Sequence, residues 1–376
     1  MPAPVTVSAA PAPASRTRAE HWANDTATKF TNPWPSAHGP PARMDVAKFL
    51  WAGLWVKQPD LDNIDAFVQQ QTPDFTPPLR GAKATWLGHA CVLLQFAPEG
   101  DEKRGLNILF DPVFGQRCGP NQYFGAPKRY TQVPCGGVKG LPEIDVVVIS
   151  HNHYDHLDLP TLQALYAQQP EHAPAMLMPL NTSRLINFVP PERIRELDWW
   201  ESIRIESPQG SAEFTSTPAQ HMTARTPFDL AASLWCSWAI KASDGTNVWF
   251  SGDTGYSAVD RDDDYSADPD RPFCPEFRRI GEKLGPFDLA FLPIGAYAPR
   301  TFLSTVHTAP IDAVRIFQDI RARKAFAIHW GTWDLSHEPL SEPPRMLASA
   351  REEMGVSKEE FDTIALGGSV SVEPRP

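Results

Sequence analysis

From residue 81 onward, short apolar runs alternate with turn signals along the chain. Apolar, β-branched and aromatic runs bounded by Gly, Pro, Asn or Asp read as strands. They fall near residues 84–96, 106–110, 145–149, 175–178, 204–207, 213–217, 234–241, 248–251, 289–292, 325–329 and 363–372. Apolar positions at helical spacing predict helices over 159–168, 276–284, 311–320 and 344–354. In the third of these, Val314, Ile316, Phe317 and Ile320 make one face. Early strands come as hairpin-like pairs and later ones alternate with helices, which predicts a layered α/β sandwich with mixed sheets.

Upstream of this body the texture differs. Residues 1–43 are rich in Pro, Ala, Ser and Thr and read as a disordered or loosely draped extension. Residues 44–57 read as a helix. Asp45 can cap it, Val46, Phe49, Leu50 and Leu54 recur at helical spacing, and Trp51 and Trp55 widen the apolar face. With a polar linker it fills residues 44–80, ahead of a main domain over 81–376. Such a face either packs on the main body or lies in a membrane interface, where Trp is favoured.

Composition then narrows the class. With 376 residues and 42% hydrophobic content there is ample material for a large core. The 39 prolines predict a loop-rich chain. Acidic residues outnumber basic ones, 45 to 34, for a net charge of −11, so no broad nucleic-acid-binding surface is expected. No apolar run approaches the ~18–20 residues of a spanning helix. Cys91, Cys118, Cys135, Cys236 and Cys274 form no CxxC pair, which fits a reducing compartment. Pro2, Pro4, Pro11 and Pro13 interrupt any secretory core, pointing to the cytosolic side. Arg16 and Arg18, with no acid before Glu20, also allow a mitochondrial address.

The chemistry concentrates in Ile149-Ser150-His151-Asn152-His153-Tyr154-Asp155-His156. This stretch follows a run that reads as a buried strand. His151 and His153 are two apart and can point the same way in extended backbone. Asp155 and His156 turn the other way as the chain bends toward the helix at 159. That arrangement suits two adjacent metal ions, and imidazole with carboxylate suits Zn²⁺ or a similar divalent ion. Four residues cannot complete two sites. Three further candidates stand at strand ends: His221, Asp253 and His329. Asp253, between Gly252 and Thr254, is placed to bridge.

This order, HxHxDH and then a separate His, Asp and His, resembles the metallo-β-lactamase superfamily. Further segments are similar to its N-acyl-phosphatidylethanolamine-hydrolysing phospholipase D branch: Trp86–Ala90, Asp111–Phe114, Pro127–Tyr130, Pro134-Cys135, Ser150–Asp158, Gly252–Tyr256, Gly295–Arg300, Ile328–Trp333 and Glu342–Pro344. The resemblance covers about residues 80–350.

The resemblance implies an αββα four-layer sandwich and two Zn²⁺ ions per chain. His151, His153 and His221 would hold one ion, and Asp155, His156 and His329 the other, with Asp253 bridging. A metal-bridging hydroxide would attack a phosphodiester, releasing N-acylethanolamine and leaving phosphatidic acid. Asp155 and His307 are the catalytic residues it marks, His307 as acid or phosphate ligand. The pattern departs at Val306, where the family carries a polar residue. His89 is a candidate partner of a metal ligand, Asp158 and Thr254 are candidates for outer contacts, and Lys128 and Arg129 for a lipid phosphate. A phospholipid substrate, a peripheral membrane surface and a homodimer follow as expected partners. The competing expectation is a soluble metal-dependent hydrolase of the same fold acting on a lactone or another small phosphodiester.

Overall fold

Consecutive residues of a strand face opposite ways, and in one sheet of this protein both directions are covered. The computed structural model describes residues 6–7, 18–37 and 64–375. Its strands begin with β1 (Thr6–Val7), β2 (Ala82–Gly88), β3 (Cys91–Phe96), β4 (Asn107–Phe110), β5 (Val146–Val148), β6 (Ala175–Pro179) and β7 (Ile194–Leu197). They continue with β8 (Ser202–Ser207), β9 (Gly210–Thr217), β10 (Ser237–Ala242), β11 (Asn247–Phe250), β12 (Leu289–Pro293), β13 (Ala325–Ile328), β14 (Phe361–Asp362) and β15 (Ser369–Val372).

The first sheet runs β15-β2-β3-β4-β5-β6-β7, antiparallel as far as β4 and parallel beyond it. The second runs β1-β8-β9-β10-β11-β12-β13-β14, antiparallel to β11 and parallel after it. Trp86, Val92, Leu94, Ile108, Phe110, Val146 and Val148 point between the sheets, where Phe110 meets Phe250 at 4.7 Å between ring centroids. Their neighbours Leu87, Leu93, Leu109 and Val147 point outward and pack with Leu162 and Leu165 of helix α1 (Leu159–Gln168). Two covered faces explain why these strands read as unbroken apolar runs rather than as alternation. Truncating a ring such as Phe110 to Ala costs about 3–5 kcal/mol.

The second sheet is covered by α2 (Glu276–Lys283), α4 (Pro310–Asp319) and α5 (Glu342–Met354), with the short α3 (Arg300–Leu303) between the first two in the chain. Phe277, Ile280, Val314, Ile316, Phe317 and Leu347 bury the apolar faces of the three long helices. The result is an αββα sandwich.

Several elements depart from the sequence reading. The run 84–96 is two strands, because Gly88 and His89 take positive φ and reverse the chain. Of the run 363–372 only Ser369–Val372 is strand, β15, which pairs with β2 of the first sheet, while β14, just ahead of the run, closes the second. Strand β7 was not expected, since its only fully buried residue is Leu197.

The loosely draped extension is corrected within residues 18–37. Trp22, Phe30 and Trp34 are buried in the main core. Trp34 stacks on Trp199, and His21 and Trp22 both bond the Asp198 carboxylate, at 2.6 and 2.9 Å. Proline-rich composition hid three anchoring aromatics. The helix expected at 44–57 lies outside the described residues.

Candidate metal centre

Ligands in sheet proteins gather beyond the carboxyl ends of the strands. Here His89 follows β2, Asp111 follows β4, His151 follows β5, His221 follows β9, Asp253 follows β11 and His329 follows β13. Three of these residues sit in the left-handed region: His89 (φ 53°), Asp111 (φ 38°) and His329 (φ 62°). Such backbone costs of order 1–3 kcal/mol per residue and concentrates where side chains must be aimed. Gly252 has φ 56°, and a Cβ there would lie 2.5 Å from the Ser150 side chain. Only glycine lets β11 deliver Asp253 against the His151 segment.

All seven expected ligands converge. Nε2 of His151 lies 2.9 Å from Nδ1 of His153, which lies 3.2 Å from Nε2 of His221. Oδ2 of Asp253 is 3.8 Å from the Nε2 atoms of His151 and of His221. In the second group, Nε2 of His156 and Nε2 of His329 are 3.5 and 3.6 Å from Oδ2 of Asp155. Asp253 faces this group also, its Oδ2 3.1 Å from His156 and its Oδ1 3.1 Å from His329. Ligand atoms around a tetrahedral zinc stand about 3.4 Å apart, given ~2.0–2.1 Å bonds. Both sets of spacings bracket that value.

The outer hydrogen bonds assign the tautomers. Nδ1 of His221 donates to Val306 O (2.8 Å), and Nδ1 of His329 to Gly295 O (3.3 Å). Nδ1 of His156 donates to Oδ2 of Asp111 (2.7 Å). The Ser150 hydroxyl donates to Asp111 at 2.6 Å and accepts from Nδ1 of His151 at 2.9 Å. With Nδ1 taken by its hydrogen bond, each of these four rings aims Nε2 at the centre as the nitrogen left for a metal. Nε2 of His156, Nε2 of His329 and both oxygens of Asp253 are buried without a hydrogen-bond partner. Buried polar atoms of this kind need a partner, and a divalent cation supplies one to all four.

Charge tells the same story. Burial, then repulsion from His156 and neighbouring imidazoles, holds His151 well below the ordinary imidazole range. Burial likewise lowers His153 and holds His221 well below that range. These rings are neutral and ready to ligate. Burial also disfavours charge on His156 and His329, but Asp253 and Asp155 outweigh it and raise His329 to about 9 and His156 well above its usual value. Burial opposes charge on Asp155 and Asp253 too, yet His156 and its neighbours hold both carboxyls well below the normal range. Among the described residues, the ion-pair partners of Asp111, Asp155 and Asp253 are all histidines, with no lysine or arginine. The donor set fits divalent metal.

His307 lies at the rim, its Nδ1 3.9 Å from Oδ2 of Asp253 and its ring 5.1 Å from that of His221. Burial lowers its pKa to about 4. It does not cap α4, whose cap nitrogen at Ala309 bonds Asp312 instead. His89 donates from Nε2 to Oδ2 of Asp155 (2.9 Å), and its ring packs at a tilt against that of His329 (4.0 Å), which makes it a support for two expected ligands. Thr254 receives the backbone N–H of Gln220 (2.9 Å), next to His221. Asp158 does not reach the metal groups: it holds Gly115 N (3.0 Å) and Thr161 (2.6 Å). Arg129 is corrected as a lipid-phosphate contact. It is buried, donates to Val113 O and Gly115 O, and lies over Trp333 at 4.6 Å.

Sequence reasoning missed Asp111 and Ser150, although both stood in quoted segments at strand ends. It had no means of finding the Val306 and Gly295 carbonyls, which any residue supplies. Nor did it see Asn32, whose Nδ2 donates to His221 O (2.9 Å) from the N-terminal segment.

Histidines and carboxylates at the carboxyl ends of strands from both sheets, gathered around the Asp253 carboxylate, define a metal-dependent hydrolase. Residues 106–330 match the family model of the beta-lactamase superfamily domain. The chain is 34% identical over 294 residues to N-acyl-phosphatidylethanolamine-hydrolyzing phospholipase D 1 of Caenorhabditis elegans, covering 76% of this chain and 75% of the worm protein. It is 31% identical over 269 residues to the mitochondrial N-acyl-phosphatidylethanolamine-hydrolyzing phospholipase D of Saccharomyces cerevisiae, 71% of this chain and 51% of the yeast protein. The solved isothiocyanate hydrolase from Delia radicum gut bacteria shares the fold, with a TM-score of 0.53 at 17% identity over 77% of this chain and 99% of its own. The chain belongs to the N-acyl-phosphatidylethanolamine-hydrolysing phospholipase D family of the metallo-β-lactamase superfamily.

Proposed function

We propose that the protein hydrolyses N-acyl-phosphatidylethanolamine to N-acylethanolamine and phosphatidic acid, with two zinc ions in its centre. His151, His153 and His221 would hold one ion and Asp155, His156 and His329 the other, with the Asp253 carboxylate between the two groups. The observation that carries this reading is the Asp253 carboxylate, buried, free of hydrogen bonds and flanked by nitrogens of both groups. When bound, the ions supply a water of lowered pKa and positive charge for the phosphoryl oxygens.

The chain's residues do the rest. Asp155, fixed by the N–H of His89, keeps its charge in the centre. His307, neutral near pH 7 with a pKa of about 4, suits a hydrogen-bond donor to a phosphoryl oxygen better than a standing reserve of protons. In the reaction a water oxygen bonds to phosphorus and the bond from phosphorus to the N-acylethanolamine oxygen breaks. A proton from the water ends on the departing alkoxide. The substrate places the protein at a membrane surface, on the cytosolic or mitochondrial side. No described helix is long and apolar enough to cross one.

The test is mass spectrometry of products from zinc-loaded protein and N-acyl-phosphatidylethanolamine in detergent micelles, beside Asp253→Asn. Release of N-acylethanolamine and phosphatidic acid, lost in the variant, is expected. Full zinc occupancy without turnover would discard the lipid and leave a lactone or a small soluble phosphodiester as substrate.

A further inference from the structure

We propose that two aromatic-tipped loops beside the metal centre dock the protein on an anionic phospholipid surface through Tyr123, Phe124 and Phe228. These rings are 86%, 73% and 94% exposed, whereas the other Trp and Phe side chains among the described residues are buried or half-buried. Exposed aromatics cost solubility and mark contact surfaces.

Neither tip is a loose end. Oδ1 of Asn121 accepts the backbone N–H of both Tyr123 (2.9 Å) and Phe124 (3.0 Å). Arg117 and Lys128 bridge across the base of the same loop. Around Phe228, Oδ1 of Asp229 gathers the N–H groups of Arg225 (3.0 Å) and Thr226 (2.7 Å). Held turns present the rings outward with little ordering left to lose on contact.

Both loops are rooted on neighbouring residues of the metal segment. Gly115 N bonds Oδ2 of Asp158. Arg225 donates to Leu157 O (2.9 Å) and Asn152 O (2.8 Å) and lies over the Tyr154 ring at 3.7 Å. His153, Tyr154 and Asp155, the part of that segment that is only half-buried, sit beside these roots. The rings therefore flank the accessible side of the centre.

Charge selects the occupant. Residues 112–142 hold no acidic side chain, although 45 of the 376 residues in this chain are acidic. They carry Arg117, Lys128, Arg129 and Lys139, and Lys128 and Lys139 are exposed. An acidic protein that bares a basic, aromatic loop at its active centre is matched to anionic headgroups over acyl chains. The inference deepens the lipid reading above, and its test does not depend on turnover.

The full zinc-loaded chain is sedimented with phosphatidylcholine vesicles containing phosphatidic acid. In the triple variant Tyr123→Ser, Phe124→Ser, Phe228→Ser, partitioning should fall about tenfold or more with unchanged zinc content. Lys128→Gln should lower it about fivefold. Unchanged partitioning in a zinc-replete triple variant overturns the proposal. If that variant fails to fold, Phe124→Trp and Phe228→Trp replace it. Vesicles should shift their emission to the blue, and an unshifted spectrum at both positions overturns the proposal equally. A protein that binds vesicles yet leaves N-acyl-phosphatidylethanolamine intact keeps the docking surface and loses the substrate. One that hydrolyses micellar lipid but ignores vesicles does the reverse.

Discussion

Oδ2 of Asp111 lies 2.7 Å from Nδ1 of His156, and both side chains are wholly buried. Asp111 also takes the N–H of Ser150 (2.8 Å) and its hydroxyl (2.6 Å). One carboxylate thus aims His156 directly and His151 through Ser150, one ring in each ligand group. Asp111→Asn should weaken zinc binding about 10–100-fold, read by competition with a chelator. An unchanged dissociation constant would remove Asp111 from this role.

Metal uptake should release protons. Without metal, His329 has a pKa of about 9 and His156 one well above its usual range, so both hold protons at pH 7. Zinc must displace those protons, while Asp155 and Asp253 are already ionised. Apparent zinc affinity should therefore rise with pH through neutrality toward about 9 and fall in acid. Calorimetry in buffers of different ionisation enthalpy reads the protons released. Uptake with none released at pH 7 would contradict the arrangement.

His307 stands outside both ligand groups. Its replacement by Ala should leave zinc content intact and reduce turnover about a hundredfold, as for loss of one donor to a charged transition state. His307→Gln, which keeps an N–H, should restore part of the loss. Full activity in the Ala variant would dismiss the residue.

Asn32 ties the N-terminal segment to the site. It donates to His221 O (2.9 Å) and accepts from Trp235 Nε1 (3.2 Å), while Ser36 bonds Gln220 (2.6 Å). Asn32→Ala should cost about 1–3 kcal/mol in urea unfolding and speed zinc loss to chelators. Wild-type behaviour in both assays would show that the segment only covers the core.

Much of the site was legible because ligand chemistry uses few residue types. His151, His153, Asp155 and His156 crowd six positions after an apolar run, and little besides metal explains such a cluster. His221, Asp253 and His329 were found because each follows a strand-like run, where a sheet delivers side chains. Asp111 follows one too, but a lone aspartate before proline reads as a turn residue. Asn32 lies 189 positions from His221, and no local pattern reports a bond of that span. Residues 18–37 misled for a related reason: composition registers their prolines and polar residues, while Trp22, Phe30 and Trp34 act through a surface supplied by other strands.

The sequence by itself determined the strand and helix types, the donor set and the family pattern, since periodicity and spacing are properties of the chain's own order. The tertiary structure alone decided the placing of β14 and β15 in different sheets, the tautomers of His151, His156, His221 and His329, the burial of Arg129, and the pairing of Asp111 with His156. Each of those depends on distances between segments far apart in the chain, and only closure of the two sheets around a common core sets such distances.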